Sequence, residues 1–302
     1  MRRNLDYLEK KSVSLEINND YKIGKIIISN YSNKKSNERN QNGHLITVKK
    51  VKRITPNMLR VTFYCPSLEE MDSSRQGAHC KILLPKPKTS LKDFKEIISI
   101  KPKDLRIDER PTRRTYTVRF FRKESMEMDI DFVDHGDEGP ASSWARNAKQ
   151  GSYVGLLGPA FPKIRDFYAD WYLVAADMSA LPVAAATIEA MPKNAKGVAV
   201  FEITSKSDKQ DIKAPPGIKL FWINHPNAHS PSIAQLSFIK ELDWKTGIVQ
   251  TCIAGESGLI KQLRNYLIKE KFLPNQDTYI SGYWKIGLIE DEHQIWKNSQ
   301  NN

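Results

Sequence analysis

The sequence predicts an all-β part followed by an α/β part, namely a six-stranded antiparallel barrel and then a Rossmann-like parallel sheet. Short segments that alternate apolar and polar residues dominate the first part. After about Pro162, apolar strands alternate with helical segments instead. The chain has 302 residues and 40% of them are hydrophobic, so each part can bury a core of its own.

Six segments of the first part have the β-branched enrichment and the period-two alternation of strands. One clear helix lies among them, so we expect them to form a closed antiparallel barrel or a sandwich. The strands are predicted at Leu45–Val51, Met58–Tyr64, Cys80–Leu84, Thr115–Phe121, Met126–Val133 and Tyr153–Leu157. The stretch from Pro85 to Pro111 contains Lys and Pro and is predicted as a long loop that is functional or disordered.

The second part alternates five strands with three helices, which predicts an open parallel sheet with helices on both faces. The strands are expected at Trp171–Ala176, Val198–Thr204, Leu220–Ile223, Ile248–Ala254 and Thr278–Ser281. The helices are expected at Ser179–Met191, Ile233–Leu242 and Gly258–Lys269.

Residues 1–43 are rich in Asn and Lys and are predicted to form a mobile N-terminal arm. Domains of residues 44–162 and 163–302 are expected to follow it. The first residues lack the apolar segment of a secretory signal, and no run of about 18 apolar residues occurs. We therefore expect a cytoplasmic protein that does not insert into a membrane, and we expect it to be a monomer.

The formal net charge of +12 favours an anionic partner, whether nucleic acid, an anionic membrane or a small polyanion. The three cysteines, Cys65, Cys80 and Cys252, are widely spaced and are predicted to be buried, inert thiols. His225 and His229 lie in a Pro/Asn loop without a helix to align them, so no metal site is predicted.

A first motif, Arg114-Thr115-Tyr116-Thr117, lies near the start of a predicted strand. Arg114 and Tyr116 fall on one side of the extended chain because side chains alternate. The guanidinium can bind a pyrophosphate while the phenol ring packs on a flat heterocycle, and Thr117 can reach a ring nitrogen. Taken alone, the pattern is better explained by an ordinary edge strand with solvated arginines.

A second motif follows the next strand, where a turn at Gly139-Pro140 leads through Ala141 and Ser142 into a helix that carries Trp144 and Ala145 toward the core. The N-terminus of a helix offers free amides to an anion, so a diphosphate is expected here. A capped connector helix is the simpler explanation of this segment by itself. When both motifs occur in one predicted barrel, a purely structural role explains them much less well.

The blocks from Arg114 to Arg119, from His135 to Ala145 and from Ala176 to Pro182 resemble the signature blocks of the siderophore-interacting protein family. Further similar blocks are His79-x-Lys81-x-x-x-Pro85, Ala254-Gly255-Glu256 leading into Leu263-Arg264, and Gly282-Tyr283-Trp284-Lys285-x-Gly287. The resemblance covers residues 44–290. One departure is local: Ala176-Asp177-Met178-Ser179 stands where the family has an acidic Gly-Asp-Glu-Thr turn.

Members of this family are flavin-dependent ferric-siderophore reductases related to ferredoxin reductases. The resemblance implies that the barrel binds FAD and that the second part binds NAD(P)H. It implies FAD contacts at Arg114, Thr115, Tyr116, Thr117, His135, Gly139, Ala141 and Ser142.

The nucleotide part can also be interpreted from its own residues. The turn with Asp177, Ser179 and Ala180 follows a strand and opens a helix, so its amides are expected at the carboxyl edge of the sheet. Ser205 and Lys206 follow the next strand and would suit the 2′-phosphate of NADPH, although a solvated polar loop explains them equally well. The resemblance adds Gly255 and Glu256 opposite the flavin, and no GxGxxG fingerprint occurs.

Lys81, Lys261 and Lys285 lie beside the family-like blocks and are expected to bind an anionic ferric siderophore, although each is explained as easily as an ordinary exposed lysine. The resemblance implies hydride transfer from NADPH or NADH to FAD and single-electron transfer to Fe(III). No general acid or base is named because the flavin carries the redox chemistry. Two alternative functions stay open. One is a flavin reductase with another acceptor, and the other is a basic module that binds an anionic ligand or nucleic acid without turnover. We do not favour nucleic acid as the partner.

Overall fold

The computed structural model describes residues 43–69, 71, 73–102, 104–137, 139–288, 292, 293, 296 and 299. Within this part of the chain, a barrel precedes a parallel sheet, as predicted. The predicted mobile arm of residues 1–43 lies outside the described residues except for Gly43.

Six strands close the barrel in the order β1-β2-β5-β4-β3-β6, and every pair is antiparallel. The strands are β1 (His44–Thr55), β2 (Met58–Tyr64), β3 (His79–Leu84), β4 (Thr112–Arg122), β5 (Glu127–Val133) and β6 (Tyr153–Leu157). Alternate residues of each strand point inward, and they include fully buried Ile46, Val61, Phe63 and Ile130. The apolar alternation in the sequence therefore corresponds to the barrel interior.

The stretch between β3 and β4 holds a helix, α1 (Leu91–Ser99), so the prediction of a loop from Pro85 to Pro111 is wrong over these nine residues. The Ser90 hydroxyl accepts a hydrogen bond from the Asp93 amide at 3.1 Å and caps the helix. Phe94 and Ile98, one turn apart, are buried against Leu83 of the barrel. Helix α2 (Pro140–Asn147) buries Ala145 against the barrel core and packs partly buried Trp144 against it, as expected, and Ala141 is buried there too.

The second part is a five-stranded parallel sheet in the order β11-β10-β7-β8-β9, with apolar clusters on both faces. Its strands are β7 (Trp171–Ala176), β8 (Lys196–Ile203), β9 (Gly217–Asn224), β10 (Val249–Glu256) and β11 (Thr278–Trp284). Its helices are α3 (Leu181–Ala190), α4 (Ala234–Lys240) and α5 (Ser257–Asn265), the last continued by a π-helical segment, Tyr266–Glu270. Helix α3 begins two residues later than predicted because Asp177 and Ser179 form a turn.

All three cysteines are buried and free, as predicted, and burial raises the pKa of Cys252 to about 11 and that of Cys80 to about 12. In the described ranges, no cluster of three or more His, Cys, Asp or Glu side chains has the arrangement of a metal site. None of the helices in these ranges combines the length and the apolar character needed to span a membrane.

Candidate functional site

Tyr116 of β4 lies at one end of a row of aromatic rings. Its ring packs against Phe132 of β5 with 4.3 Å between the ring centroids, and Phe132 contacts Trp144 of α2 at 6.0 Å. Arg114, half-buried, lies on the same side of β4 two residues earlier. These contacts join the strand motif to the helix that carries the second motif.

The opposite side of β4 holds Thr115 and Thr117. Lys81 lies opposite Thr115 in the β3–β4 register and donates a hydrogen bond to its hydroxyl. Thr117 is buried and hydrogen-bonds with Tyr283 of β11, whose own hydroxyl lies 3.0 Å from that of Tyr279. Burial raises the pKa of Tyr283 well above its ordinary value, so the phenol stays neutral. This side of β4 therefore faces the parallel sheet.

The loop before α2 folds back over the start of that helix. The His135 amide donates to the Ser142 hydroxyl at 3.2 Å, and the His135 ring lies over Gly139, where a Cβ atom would lie 2.7 Å from the ring carbon Cε1. Gly139 is the N-cap residue, and among the described residues no side chain caps the helix. The predicted residues His135, Gly139, Ala141 and Ser142 thus form one turn with a helix N-terminus at its centre.

Charged side chains surround this turn. Asp134 accepts a hydrogen bond from Arg53 at 2.6 Å and lies 3.6 Å from Nε of Arg146. Burial alone would raise the pKa of Asp134, but the hydrogen bonds from Arg53 and from the Gly136 amide lower it below the usual value. Asp134 is therefore a carboxylate whose charge is balanced by two arginines.

The donors at this end of the barrel fit FAD. A helix N-terminus and the Arg114 guanidinium have the chemistry that binds a pyrophosphate. The half-buried Tyr116 ring offers an aromatic surface for a flat heterocycle. A side chain at position 139 would collide with the His135 ring. Glycine therefore lets the backbone at the start of α2 lie close to that ring.

Asp177, at the carboxyl end of β7, organises the neighbouring turn. Its Oδ1 accepts hydrogen bonds from the Ser179 amide at 2.9 Å, the Ser179 hydroxyl at 2.6 Å and the Ala180 amide at 3.2 Å. Its Oδ2 accepts from the indole nitrogen of Trp284 at 2.7 Å. Burial raises the pKa of Asp177, and the hydrogen bonds from Ser179 and Trp284 offset only part of the rise. The amides expected to face a nucleotide therefore donate to Asp177 in this structure.

Gly255 and Glu256 end β10 beside this turn. A Cβ atom on Gly255 would lie 2.7 Å from Oδ2 of Asp177, so only glycine allows this close approach. Glu256 caps α5 by accepting from the Leu259 amide at 2.9 Å, and its other oxygen accepts from the Ile286 amide at 3.4 Å. The structure thus places Asp177, Gly255 and Glu256 together at one edge of the sheet.

The turn with Ser205 and Lys206 is held by the barrel. Ser205 caps it by accepting from the Ser207 amide at 3.2 Å, whereas the Lys206 side chain is exposed. Two residues on, buried Asp208 accepts from the Thr55 hydroxyl at 2.8 Å and from the amide and side chain of Asn57 at 2.9 and 2.8 Å. The Thr204 hydroxyl contacts Met178 at 3.2 Å, so this turn also lies beside the Asp177 turn.

The three candidate acceptor lysines have different surroundings. Lys81 is half-buried beside Thr115, which brings it to the predicted FAD strand. Lys261 lies on the exposed side of α5, and Lys285 lies over the Trp296 ring at 4.6 Å from its centroid. Their convergence on one cleft stays a prediction.

The sequence interpretation assigned no role to Trp284, Tyr283, Asp208 or Asn57, although all four hold the site together. Tyr283 and Trp284 lie in one of the sequence blocks that resemble the family, so the sequence did contain a signal for these two residues. Nothing local predicts the contact between Asp208 and Asn57, because the two residues are 151 positions apart in the sequence.

Two family models match the chain. The siderophore-interacting FAD-binding domain matches residues 47–163, and the siderophore-interacting protein model matches residues 169–287. The ferric vibriobactin reductase ViuB of Vibrio cholerae is 33% identical over 247 residues, which are 80% of this chain and 89% of that protein.

Two solved structures are also similar. The siderophore-interacting protein SipS from Aeromonas hydrophila has a TM-score of 0.73 and 30% identity, covering 86% of this chain and 99% of that one. A siderophore utilization protein from T. fusca has a TM-score of 0.70 and 30% identity, covering 82% and 94%.

Proposed function

The chain belongs to the siderophore-interacting protein family, and from this premise we propose that it is a flavin-dependent reductase of ferric siderophores that uses NAD(P)H as its electron donor. The observation that carries the proposal is the FAD-binding domain itself, in which Arg114, Tyr116 and the α2 N-terminus come together. A basic module without a cofactor is not proposed, because the chain contains this domain.

FAD, when bound, supplies a centre that accepts two electrons from a nicotinamide and can pass them on singly. We propose that Arg114 and the first amides of α2 bind its pyrophosphate and that Tyr116 supports its ring system. Thr115, Thr117, His135, Gly139, Ala141 and Ser142 would shape the same site. Partly buried Tyr283, held by Thr117, would exclude water from the side that faces the sheet.

The donor is proposed to bind at the carboxyl edge of the sheet. Ser179 and Ala180 line this edge with Gly255 and Glu256, and Asp177 keeps the turn rigid through Trp284. Exposed Lys206, beside Ser205, would supply a cation to a 2′-phosphate, and on this ground we propose NADPH rather than NADH as the donor. Ferric iron enters as part of the substrate, so the protein needs no metal ligand of its own.

Ferric complexes of catecholates and hydroxycarboxylates are anionic, and we propose that Lys81, Lys261 and Lys285 attract them. We further propose that the protein works as a monomer in the cytoplasm. The buried free thiols suit a reducing compartment.

The test is to mix purified flavin-loaded protein with NADPH and a ferric siderophore and to follow Fe(II) with a ferrous chelator. We expect Fe(II) release that requires both the donor and the flavin. Substituting any one of the three lysines with Ala should weaken the use of an anionic complex by about two- to fivefold at low salt and less at high salt. Flavin reduction by NADPH in the absence of iron should stay unchanged.

Lys269→Ala, which removes an exposed charge elsewhere, is the matched control. Variants that reduce anionic complexes as well as the parent at both salt concentrations would refute the lysine site. Flavin reduction without any Fe(II) release from siderophores would refute the acceptor and leave the flavin site intact.

A further inference from the structure

We propose that Trp296 is a positioning residue of the acceptor site, because its ring holds the ammonium group of Lys285 in place. A hydrogen bond between His293 and Ser257 in turn holds Trp296. This role rests on the proposed function, in which Lys285 attracts an anionic ferric siderophore. Trp296, His293 and Ser257 have no part in the flavin and donor sites described above.

The anchor of Trp296 is a buried hydrogen bond at the carboxyl edge of the sheet. Nε2 of His293 lies 2.9 Å from Oγ of Ser257, and the two residues are 1% and 4% exposed. Ser257 is the first residue of α5 and directly follows Glu256. Gly282 of β11 packs so closely on the Ser257 hydroxyl that a Cβ atom there would collide with it. Because a buried polar contact is costly to separate, the His293 ring has a fixed position.

The fixed histidine ring supports the indole of Trp296. His293 and Trp296 are three positions apart and both have helical backbones, so their side chains lie on the same side of the turn. Their rings are stacked, with 5.9 Å between the centroids and 23° between the planes. Trp296 is half-buried, and the Lys285 nitrogen lies 4.6 Å from its ring centroid. The position of the ammonium group is therefore coupled to the buried hydrogen bond through one aromatic ring.

The contact with the indole restrains Lys285 without using its hydrogen-bond donors. A lysine side chain loses rotamer entropy when a ligand orders it, and the contact with Trp296 removes part of that loss in advance. The ammonium group has three N–H donors, and attraction to a ring face leaves them able to donate to the oxygens of a ligand. Half-buried Lys285 thus presents a positive charge at a defined place.

Lys285 directly follows two residues that reach the proposed flavin and donor sites. Tyr283 contacts Thr117 of β4, and the indole nitrogen of Trp284 donates to Asp177 at 2.7 Å. An anionic complex attracted to Lys285 would therefore lie close to the strand that we propose for the flavin. The restraint on Lys285 should favour anionic complexes and should not affect uncharged ones.

The experiment measures the binding of Ga(III) siderophore complexes to the oxidised, flavin-loaded protein by calorimetry at low salt. Ga(III) has the charge and nearly the size of Fe(III) but is not reduced, so binding is observed without turnover. A tris-catecholate complex is the anionic probe, and a tris-hydroxamate complex is the uncharged one. Trp296→Leu should weaken binding of the anionic probe by about three- to fivefold, as Lys285→Ala does, and should leave binding of the uncharged probe unchanged.

The double variant Trp296→Leu/Lys285→Ala tests whether the indole acts through the lysine. It should bind the anionic probe no more weakly than Lys285→Ala alone, because the two losses are then not additive. Trp296→Phe keeps an aromatic face and should bind nearly as the parent does. His293→Leu should resemble Trp296→Leu, whereas His293→Gln, which keeps a polar group for Ser257, should bind more tightly than His293→Leu.

Trp244→Leu is the matched control. It also removes a half-buried indole that lies beneath a lysine, Lys271, at 5.1 Å. Trp244 packs against Trp171 at the start of β7, at the opposite edge of the sheet, so its loss should not affect binding of either probe. In every variant, the FAD content and the reduction of the flavin by NADPH should equal those of the parent.

Three results would overturn the proposal. If Lys285→Ala weakens binding and Trp296→Leu does not, the positioning role is wrong and the lysine site stays intact. If the losses add in the double variant, or if both probes bind more weakly, Trp296 contacts the ligand itself or supports the fold. If the parent does not bind the anionic probe, or binds it no better than Lys285→Ala, the lysine site is refuted and the role of Trp296 with it.

Discussion

Arg114 and Tyr116 occupy one side of β4, and the Tyr116 ring packs against the barrel core. Tyr116 packs on Phe132 at the edge of the barrel core, so its ring contributes to folding as well as to a ligand surface. Arg114 is half-buried on a strand next to Arg113, which is exposed. A substitution of Tyr116 should therefore affect both stability and FAD binding, whereas a substitution of Arg114 should affect mainly FAD binding.

Arg114→Ala should lower the FAD content of the purified protein by about tenfold while changing the unfolding temperature little, because a charge-assisted contact to phosphate is lost. Tyr116→Ala should lower both, because it also removes a packed ring, whereas Tyr116→Phe should retain most of the flavin. The measurement is the flavin-to-protein absorbance ratio after desalting, beside a melting curve. Arg113→Ala is the control, and equal flavin content in Arg114→Ala and Arg113→Ala would contradict the assignment.

The ends of β7, β10 and β11 meet so closely that their side chains form one unit. Asp177 reaches Trp284 across the sheet, and Gly255 leaves room for the carboxylate between them. A carboxylate with a raised pKa, held by four donors, acts here as a support for the turn before α3.

Gly255→Ala should weaken NADPH binding, because the new Cβ would meet the Asp177 carboxylate at 2.7 Å and displace the turn. We expect KM for NADPH to rise about tenfold, with a loss of stability of about 1–3 kcal/mol. Steady-state kinetics and chemical unfolding measure the two effects. Gly287→Ala is the control: its φ of 79° strains the backbone, but no atom lies within 4 Å of the added Cβ. A normal KM in Gly255→Ala would show that this edge does not bind the donor.

In the turn Lys206–Asp208, hydrogen bonds to the barrel hold Asp208 in place, and the Lys206 side chain is exposed. If Lys206 binds a 2′-phosphate, the parent should prefer NADPH, and Lys206→Ala should reduce that preference by about tenfold in kcat/KM, the scale of one charge-assisted hydrogen bond. Stopped-flow reduction of the flavin by each nucleotide measures this. Lys219→Ala, an exposed lysine on β9, should leave the preference unchanged. A parent that prefers NADH would refute the role of this turn.

At the scale of the whole molecule, contacts of three kinds join the barrel to the sheet. An apolar cluster unites Met58 of the barrel with Met178 and Ile203. Arg119 pairs with Glu189, and Asp208 accepts hydrogen bonds from Thr55 at the end of β1 and from Asn57 in the turn that follows. These contacts fix the position of β4 relative to the carboxyl edge of the sheet, where we propose that the flavin and the electron donor bind.

Asp208→Asn should destabilise the protein by roughly 2 kcal/mol at neutral pH, because Asp208 accepts hydrogen bonds as a buried carboxylate. Burial alone would raise the pKa of Asp208, but the hydrogen bonds from Asn57, Thr55 and Thr204 lower it below 3.8. Its stabilising effect is therefore present above pH 3.8 and is lost as the pH falls through the lower folded-state value.

Unfolding by urea between neutral pH and pH 3 measures this dependence. The difference between the parent and Asp208→Asn should shrink at the acid end, whereas the exposed control Asp104→Asn should match the parent throughout. A difference that is constant with pH would show that the charge of Asp208 does not matter.

Local sequence patterns were sufficient to predict most of the helices and strands. The alternation of residues such as Val61 and Phe63 follows from the two-residue repeat of a strand, which is visible over a short window. Helix α1 was missed although Phe94 and Ile98 have helical spacing, because the lysines and prolines around them favoured a loop. The helix is stabilised by the burial of Phe94 and Ile98 against Leu83 of β3, and this contact cannot be recognised from the sequence of the helix itself.

The two-part fold and the family could be predicted from the sequence alone, because periodicity and motif spacing are local properties of the chain, and the residues of the flavin motif stay a prediction. The partners of individual side chains follow only from the folded chain: Asp177 with Trp284, 107 residues away, Arg119 with Glu189, and Asp208 with Asn57. The folded chain also shows that the amides of Ser179 and Ala180 donate to Asp177. Such pairings depend on how strands distant in sequence are brought together, and burial then makes each unpaired polar group costly enough to matter.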